Sequence, residues 1–262
     1  VSEYFTPFEG IVLTKRQYRE HDALVKIFTS EYGKRMFFIR GLSKQPNHPL
    51  KSSLNPVVHS QFLGRINPSG LSFLKDASVQ NSRLKLQNDP INYAYAIYFM
   101  ALIDAAFEDG EVQRELFDVL VQVMNHLEKG LSPNALQILL ETHVLPFFGV
   151  DPDWMTCQIT GKNAFHEPCY FSYQPYGVIL VEAYNHLRQT HKSVPGLLST
   201  SPQAVALCQR MRLITPNKLG QMNIKDETFQ AAKQLLHNLY KDYAGIHLKS
   251  WDYLEDMLKW FK

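Results

Sequence analysis

The chain has 262 residues, 45% of them hydrophobic and 20% charged, with 27 Lys and Arg against 25 Asp and Glu and a formal net charge of +2. That length supports two domains with sizeable cores, and the apolar share combined with both charge signs excludes an intrinsically disordered chain. No apolar run approaches the roughly 18 residues of a membrane span, and Glu3 and Glu9 break any charged-then-apolar secretory signal, so a cytoplasmic protein is expected.

The first part of the chain reads as strands. Residues 10–15 and 23–29 are β-branched and apolar, the second run alternating Leu24, Lys26 and Phe28 against Val25 and Ile27. Residues 35–40 follow after a tight turn in which Gly33 takes the position needing positive φ. Two further strands are expected at 57–63 and 70–77, after turn signals at Asn55-Pro56 and Asn67-Pro68. Between these groups lies a polar, Pro-containing loop, residues 43–51, which is expected to be mobile. Five short strands in so few residues predict a small closed β-barrel of the OB type over residues 1–80.

This part also carries the charge. Residues 1–80 hold 11 Lys and Arg and 6 Asp and Glu, whereas residues 81–262 hold 16 and 19. The cations gather at Lys15, Arg16, Arg19, Lys26, Lys34, Arg35, Arg40 and Lys44, interleaved with Tyr18, Tyr32, Phe37 and Phe38. Any one strand-edge lysine discourages edge pairing, and strand aromatics are commonly core. The mixture of cations and rings is also the composition of a single-stranded nucleic-acid groove.

From Asp89-Pro90 the period changes to that of helices, with Tyr93, Ala94, Ile97, Tyr98, Ala101 and Leu102 on one stripe. A second helix carries Leu116, Leu120, Val123 and Leu127 and ends at Gly130, and a third starts at Ser132-Pro133. Residues 151–184 are rich in Pro, Gly and aromatics and predict an irregular or β-rich insertion within a helical domain spanning residues 81–262. Helices resume at Ser201-Pro202, at about residues 226–243 and at 250–258. The fold class is therefore α+β and multidomain.

Three cysteines, Cys157, Cys169 and Cys208, argue against a disulfide framework. Cys157, His166 and Cys169 are candidate metal ligands, His166 and Cys169 standing at H-x2-C spacing, but they make an incomplete zinc site. The competing reading is a buried cysteine pair beside a surface histidine. No G-x-S-x-G, Walker A, H-E-x-x-H or G-x-G-x-x-G motif is present, and no enzymatic activity is expected.

The run from Gly10 to Lys34, G-I-V-L-T-K-x-x-Y-x-E-x-D-x-L-V-x-I-F-T-x-E-Y-G-K, followed by Arg40-Gly41, resembles the N-terminal domain of the RecO family of bacterial recombination mediators. Tyr243-Ala244-Gly245-Ile246-His247-Leu248-Lys249-Ser250, with Trp251 and Leu254, resembles that family's closing segment. The resemblance implies a non-enzymatic protein, without cofactor, that binds single- and double-stranded DNA and anneals complementary strands. It also implies that, with RecR, the protein helps RecA load onto strands covered by single-strand-binding protein (SSB). The acidic tail of SSB is an implied partner of the helical domain, and the implied location is the bacterial cytoplasm, at the nucleoid. On this reading the DNA-binding residues are Lys15, Arg16, Arg19, Lys34, Arg35, Arg40 and Lys44. Zinc-binding family members carry two C-x2-C pairs in the insertion. Here Cys157 fills the first position, Thr160 the second, and residues 177–183 lie where the later pair would fall, so a degenerate, metal-free finger is expected, with Cys169 outside the ligand pattern. Other readings are an OB-fold scaffold that binds protein or RNA, and a zinc hydrolase built on Cys157, His166 and Cys169.

Overall fold

The first strand sets the architecture by pairing on both edges. In the computed structural model, which describes residues 4–174, 176–190, 192 and 201–261, β1 (Thr6–Tyr18) pairs antiparallel with β4 (His59–Arg65) through residues 6–11 and with β2 (Asp22–Thr29) through residues 10–18. β2 pairs with β3 (Gly33–Ile39), and β4 with β5 (Ser72–Asn81), both antiparallel. A short parallel contact, Phe37 opposite Ser72 and Phe38 opposite Phe73, closes the barrel in the order β1-β2-β3-β5-β4. This is the expected OB-type barrel, with strands longer than the apolar runs suggested because a closed ladder extends past the buried residues.

Alternate residues of each strand point inward. Phe8, Val12, Val25, Ile27, Phe37, Ile39 and Phe62 form the core, with Phe8 stacked 5.6 Å from both Phe37 and Phe62. Each such side chain contributes about 1.5–3 kcal/mol when fully buried. The β3–β4 connection is anchored at its later part, while residues 43–47 of the loop expected there are exposed. Leu50 and Leu54 enter the barrel core, while Lys51 N donates to His48 O at 2.9 Å and the Ser53 hydroxyl to Leu50 O at 2.8 Å.

The chain divides into two compact units, Val1–Gly130 with Leu248–Lys262, and Leu131–His247. In the first, the barrel is joined by α1 (Leu84–Gln87), α2 (Pro90–Ala105), α3 (Arg114–Glu128) and α8 (Lys249–Trp260), and Trp251 of α8 packs edge-on against Tyr98 of α2 at 5.4 Å. The second contains α4 (Pro133–Val144), β6 (Cys169–Ser172), β7 (Gly177–Leu180), α5 (Val181–Gln189), α6 (Pro202–Leu213) and α7 (Asp226–Asn238), with a π-helical turn at Leu239–Tyr243. Three helices start as their sequence signals require. Asp89 accepts hydrogen bonds from Ile91 N and Asn92 N, Ser132 from Ala135 N and Ser201 from Ala204 N, each with proline at the first helical position. The short α1 and the helix α5 were not expected; in α5 the apolar Val181, Tyr184 and Leu187 stand three residues apart but are only half-buried, in a helix of nine residues.

Gly33 has φ +67° at the β2–β3 turn, and a side chain there would collide with the backbone carbonyl of Glu111. Replacing Gly33 by Ala combines left-handed backbone strain with overpacking and is expected to cost about 2–5 kcal/mol. Urea unfolding of wild type and Gly33→Ala measures this; equal midpoints would contradict it.

Candidate nucleic-acid interface

A β-bulge between Val12 and Thr14 decides which way the basic end of β1 faces. Beyond it, Arg16 lies opposite Leu24 and Tyr18 opposite Asp22, on the outer side of the sheet, while Lys15 lies opposite the core residue Val25 at the barrel mouth. β2–β3 pairing sets Leu24 opposite Phe38, so Arg16, Tyr18 and Phe38 share one outer surface.

That surface carries a row of rings. Tyr18 meets Phe38 edge-on at 6.1 Å, and Phe38 meets Phe73 of β5 edge-on at 6.3 Å. The guanidinium of Arg19 lies over the Tyr18 ring at 5.3 Å and that of Arg65 over Phe73 at 5.0 Å, while the Lys75 ammonium lies over Phe5 at 5.2 Å. Rings beside cations on a sheet surface provide stacking faces for bases and positive charge for phosphates.

The seven cations predicted from sequence separate into three situations. Arg16, Arg19, Arg40 and Lys44 are exposed. Lys15 and Arg35 are tethered. Lys15 Nζ donates to Asn55 Oδ1 at 2.5 Å and is held below its ordinary pKa by burial and by Lys51. Arg35 donates from Nε to Tyr32 O and from Nη1 to Pro68 O, both at 3.0 Å, tying the β2–β3 turn to the β4–β5 loop.

Lys34 must be removed from the set. Its side chain is 2% exposed, with the ammonium 3.4 Å from Asp104 and 3.7 Å from Asp109. It also donates to the carbonyls of Asp104 and Phe107 and lies over the Phe107 ring at 4.3 Å. Burial, the largest influence, leaves its pKa below the ordinary value despite the two carboxylates. Lys26 joins the same cluster, 2.9 Å from Asp104 and 3.2 Å from Asp109. Burial alone would lower its pKa, but hydrogen bonds and attraction from the two aspartates together raise it. These lysines fasten the end of α2 to the barrel wall.

Of the four interleaved aromatics, Phe37 is core and Tyr32 packs against that core, so only Tyr18 and Phe38 reach the ring row. Phe73, Arg65 and Lys75 were missed. Their local sequence carries no basic cluster, and only the parallel β3–β5 contact brings Phe73 beside Phe38.

The insertion offers no comparable site. Among the described residues, no group of three or more His, Cys, Asp or Glu side chains could hold a metal ion. Cys157 and Cys169 are buried, His166 is exposed, and all three cysteines are free. The Cys157 sulfur accepts from Leu180 N at 3.4 Å. Burial raises its pKa, but hydrogen bonds from Thr160, Leu180 and Ile159 outweigh burial and leave it lowered. Cys169 is pushed up to about 11, by burial first and then by Cys157 and Glu167. The buried Gln209 amide donates to Trp154 O at 2.7 Å and Ala164 O at 3.3 Å, bridging two irregular segments of the insertion. With one exposed histidine and two buried thiols, one of them pushed up in pKa, these residues do not fit a zinc ion.

A closed barrel with an outer ring-and-cation row, followed by a helical C-terminal part, defines the class as an OB-barrel protein with a helical remainder. The chain matches the family models for the recombination protein O N terminal over residues 5–83 and C terminal over residues 87–252. It is 34% identical over 252 residues to the DNA repair protein RecO of Streptococcus thermophilus, covering 96% of this chain and 93% of that protein. It is 33% identical over 252 residues to the DNA repair protein RecO of Streptococcus pyogenes serotype M49, covering 96% and 95%. The chain belongs to the RecO family, whose place is in DNA repair and recombination.

Two outcomes follow from this geometry. Lys34→Met leaves two buried carbonyls without their donor and should destabilise the protein by about 1–3 kcal/mol in urea, with affinity for single-stranded DNA unchanged; weakened DNA binding in the folded variant would return Lys34 to the interface. In the insertion, a chelator should leave the melting temperature unchanged, whereas Gln209→Leu should cost about 1–3 kcal/mol; a chelator-induced drop would show that the insertion holds a metal after all.

Proposed function

We propose that the protein is a DNA-binding recombination mediator whose barrel surface holds single strands through the row Tyr18, Phe38 and Phe73 and the cations Arg16, Arg19, Arg40 and Lys44. The single observation that carries this reading is the ring row, 6.1 and 6.3 Å between neighbours, with guanidinium groups over its two outer rings. Lys15 lies at the barrel mouth and adds to the positive field there, and Arg35 shapes the β4–β5 loop.

Phosphate contacts give affinity without reading sequence, and stacking accepts any base. Both properties suit annealing, in which arbitrary complementary strands must be held and then released to each other. Duplex DNA, whose bases are already stacked, would engage the cations alone and bind more weakly. The family reading extends to a role with RecR in loading RecA on strands covered by SSB, the SSB tail docking on the helical domain, and to a cytoplasmic, nucleoid-associated location. The described chain contains no helix long and apolar enough to cross a membrane. The proposed role is non-enzymatic.

Titration of labelled single-stranded DNA at several salt concentrations tests the interface. Each phosphate contact contributes roughly 0.7 to the log–log salt slope on single strands, so Arg16→Ala/Arg19→Ala/Lys44→Ala should bind more weakly with a slope shallower by about 2. Unchanged affinity and slope in the triple variant would remove this surface from the function. Salt-insensitive binding, or a preference for RNA or protein, would favour the scaffold reading.

A further inference from the structure

The parallel contact between β3 and β5 lasts only for the pairs Phe37–Ser72 and Phe38–Phe73. Beyond Phe38 the two strands diverge, and the packed β3–β4 connection stands over the gap. The result is a cleft of about 510 Å³ lined by Phe38, Arg40, His48, Leu50, Phe73 and Lys75 among others. Its size falls within the roughly 300–1,000 Å³ of small-ligand sites.

The lining has two chemistries. Phe38 and Phe73, half-buried and edge-on to each other at 6.3 Å, form an apolar wall with a ring face. Arg40 and Lys75 are exposed at the rim, and neither is paired with a carboxylate among the described residues. His48 Nδ1 accepts a hydrogen bond from Leu50 N at 3.2 Å, so in the neutral ring the proton lies on Nε2, which is left as a donor. A ring face with a second ring edge-on beside it, two cations and one imidazole N–H match a base joined to a phosphate.

We infer that this cleft is a subsite for one nucleotide of a single strand, with its base against Phe73 and Phe38 and its phosphate between Arg40 and Lys75. The inference rests on the nucleic-acid reading above and deepens it, because it pins one unit of a strand that is otherwise held by general charge. It gives the barrel a reason to prefer unpaired DNA, since a base inside a duplex cannot enter. His48 donates to a base carbonyl or a phosphate oxygen, so occupancy also ties the strand to the β3–β4 connection.

The experiment measures the affinity of the full chain, by fluorescence anisotropy, for a labelled oligothymidylate and for a strand of equal length whose residues are abasic. Wild type should prefer the thymidylate by about 5- to 150-fold, the range that stacking provides. Phe73→Leu, which keeps an apolar side chain but removes the ring, should abolish most of that preference, and Phe73→Trp should keep it. Arg16→Ala should weaken both strands alike and leave the ratio intact. Arg40→Ala/Lys75→Ala should weaken both and lower the log–log salt slope by roughly 0.7 per cation engaged. A ratio near one in wild type, or a preference that survives Phe73→Leu, overturns the cleft, while salt-sensitive binding of both strands would leave the cations Arg16, Arg19 and Lys44 of the wider interface standing. If neither strand binds, both readings fall. If circular dichroism finds Phe73→Leu unfolded, the exposed pair decides: unchanged affinity in Arg40→Ala/Lys75→Ala overturns the proposal.

Discussion

The two-residue parallel contact between β3 and β5 is the constraint on which the barrel and its outer surface both depend. Without it the sheet would have two open edges; with it, every strand is paired on both sides. The same two pairs set Phe38 beside Phe73 and so complete a ring row begun by Tyr18. Because the contact is short, the strands separate immediately beyond it, and the cleft opens where the rings lie. Closure, stacking surface and cleft are thus consequences of one register. A slip by one residue would turn Phe73 inward and remove the row while leaving the composition unchanged.

Positive charge in the barrel serves two opposite ends. Lys26 and Lys34 meet Asp104 and Asp109 and are consumed in attaching α2 to the barrel wall. Such a partly desolvated cluster specifies one seating of the helix more than it adds net stability, because desolvation offsets much of the attraction. Arg16, Arg19, Arg40 and Lys44 keep their charge in solvent, where phosphates can reach it. The difference is one of register: Phe28 is opposite Lys34 on the wall that Phe107 and Phe117 cover, whereas Arg16 stands near the uncovered end of β1.

Much of this was legible in the sequence because local rules govern it. Gly33 at φ +67°, the Asp-Pro and Ser-Pro helix starts, and the five apolar runs each depend on residues a few positions apart. What escaped depends on distant residues. Lys34 has the same strand alternation as an exposed cation, and only the return of residues 104–109 shows that it is covered. Phe73 lies in an expected strand with nothing local to single it out, and only setting β5 beside β3 brings it next to Phe38. α5 is short and its apolar side chains are only half-buried, and the β3–β4 connection reads as a loop because its polar residues outnumber Leu50 and Leu54, the two that anchor it.

The guanidinium groups over Tyr18 and Phe73 bear on how such a surface can work reversibly. An exposed apolar ring row invites self-association, and a cation lying over each outer ring covers a face that would otherwise meet water or another chain. In the proposed binding mode, a base taking that face would cost the arginine a cation–π contact of about 0.5–1 kcal/mol at an exposed site and bring a phosphate nearby. Stacking worth about 1–3 kcal/mol per base is then partly offset by the contact it replaces. In the proposed interface each base would therefore be held weakly, and a strand would be retained through several such sites at once. A protein that must hold a strand and then yield it to a complementary one needs that combination, since a few strong contacts would hold the strand against pairing, whereas many weak exchangeable ones can be displaced stepwise by the growing duplex.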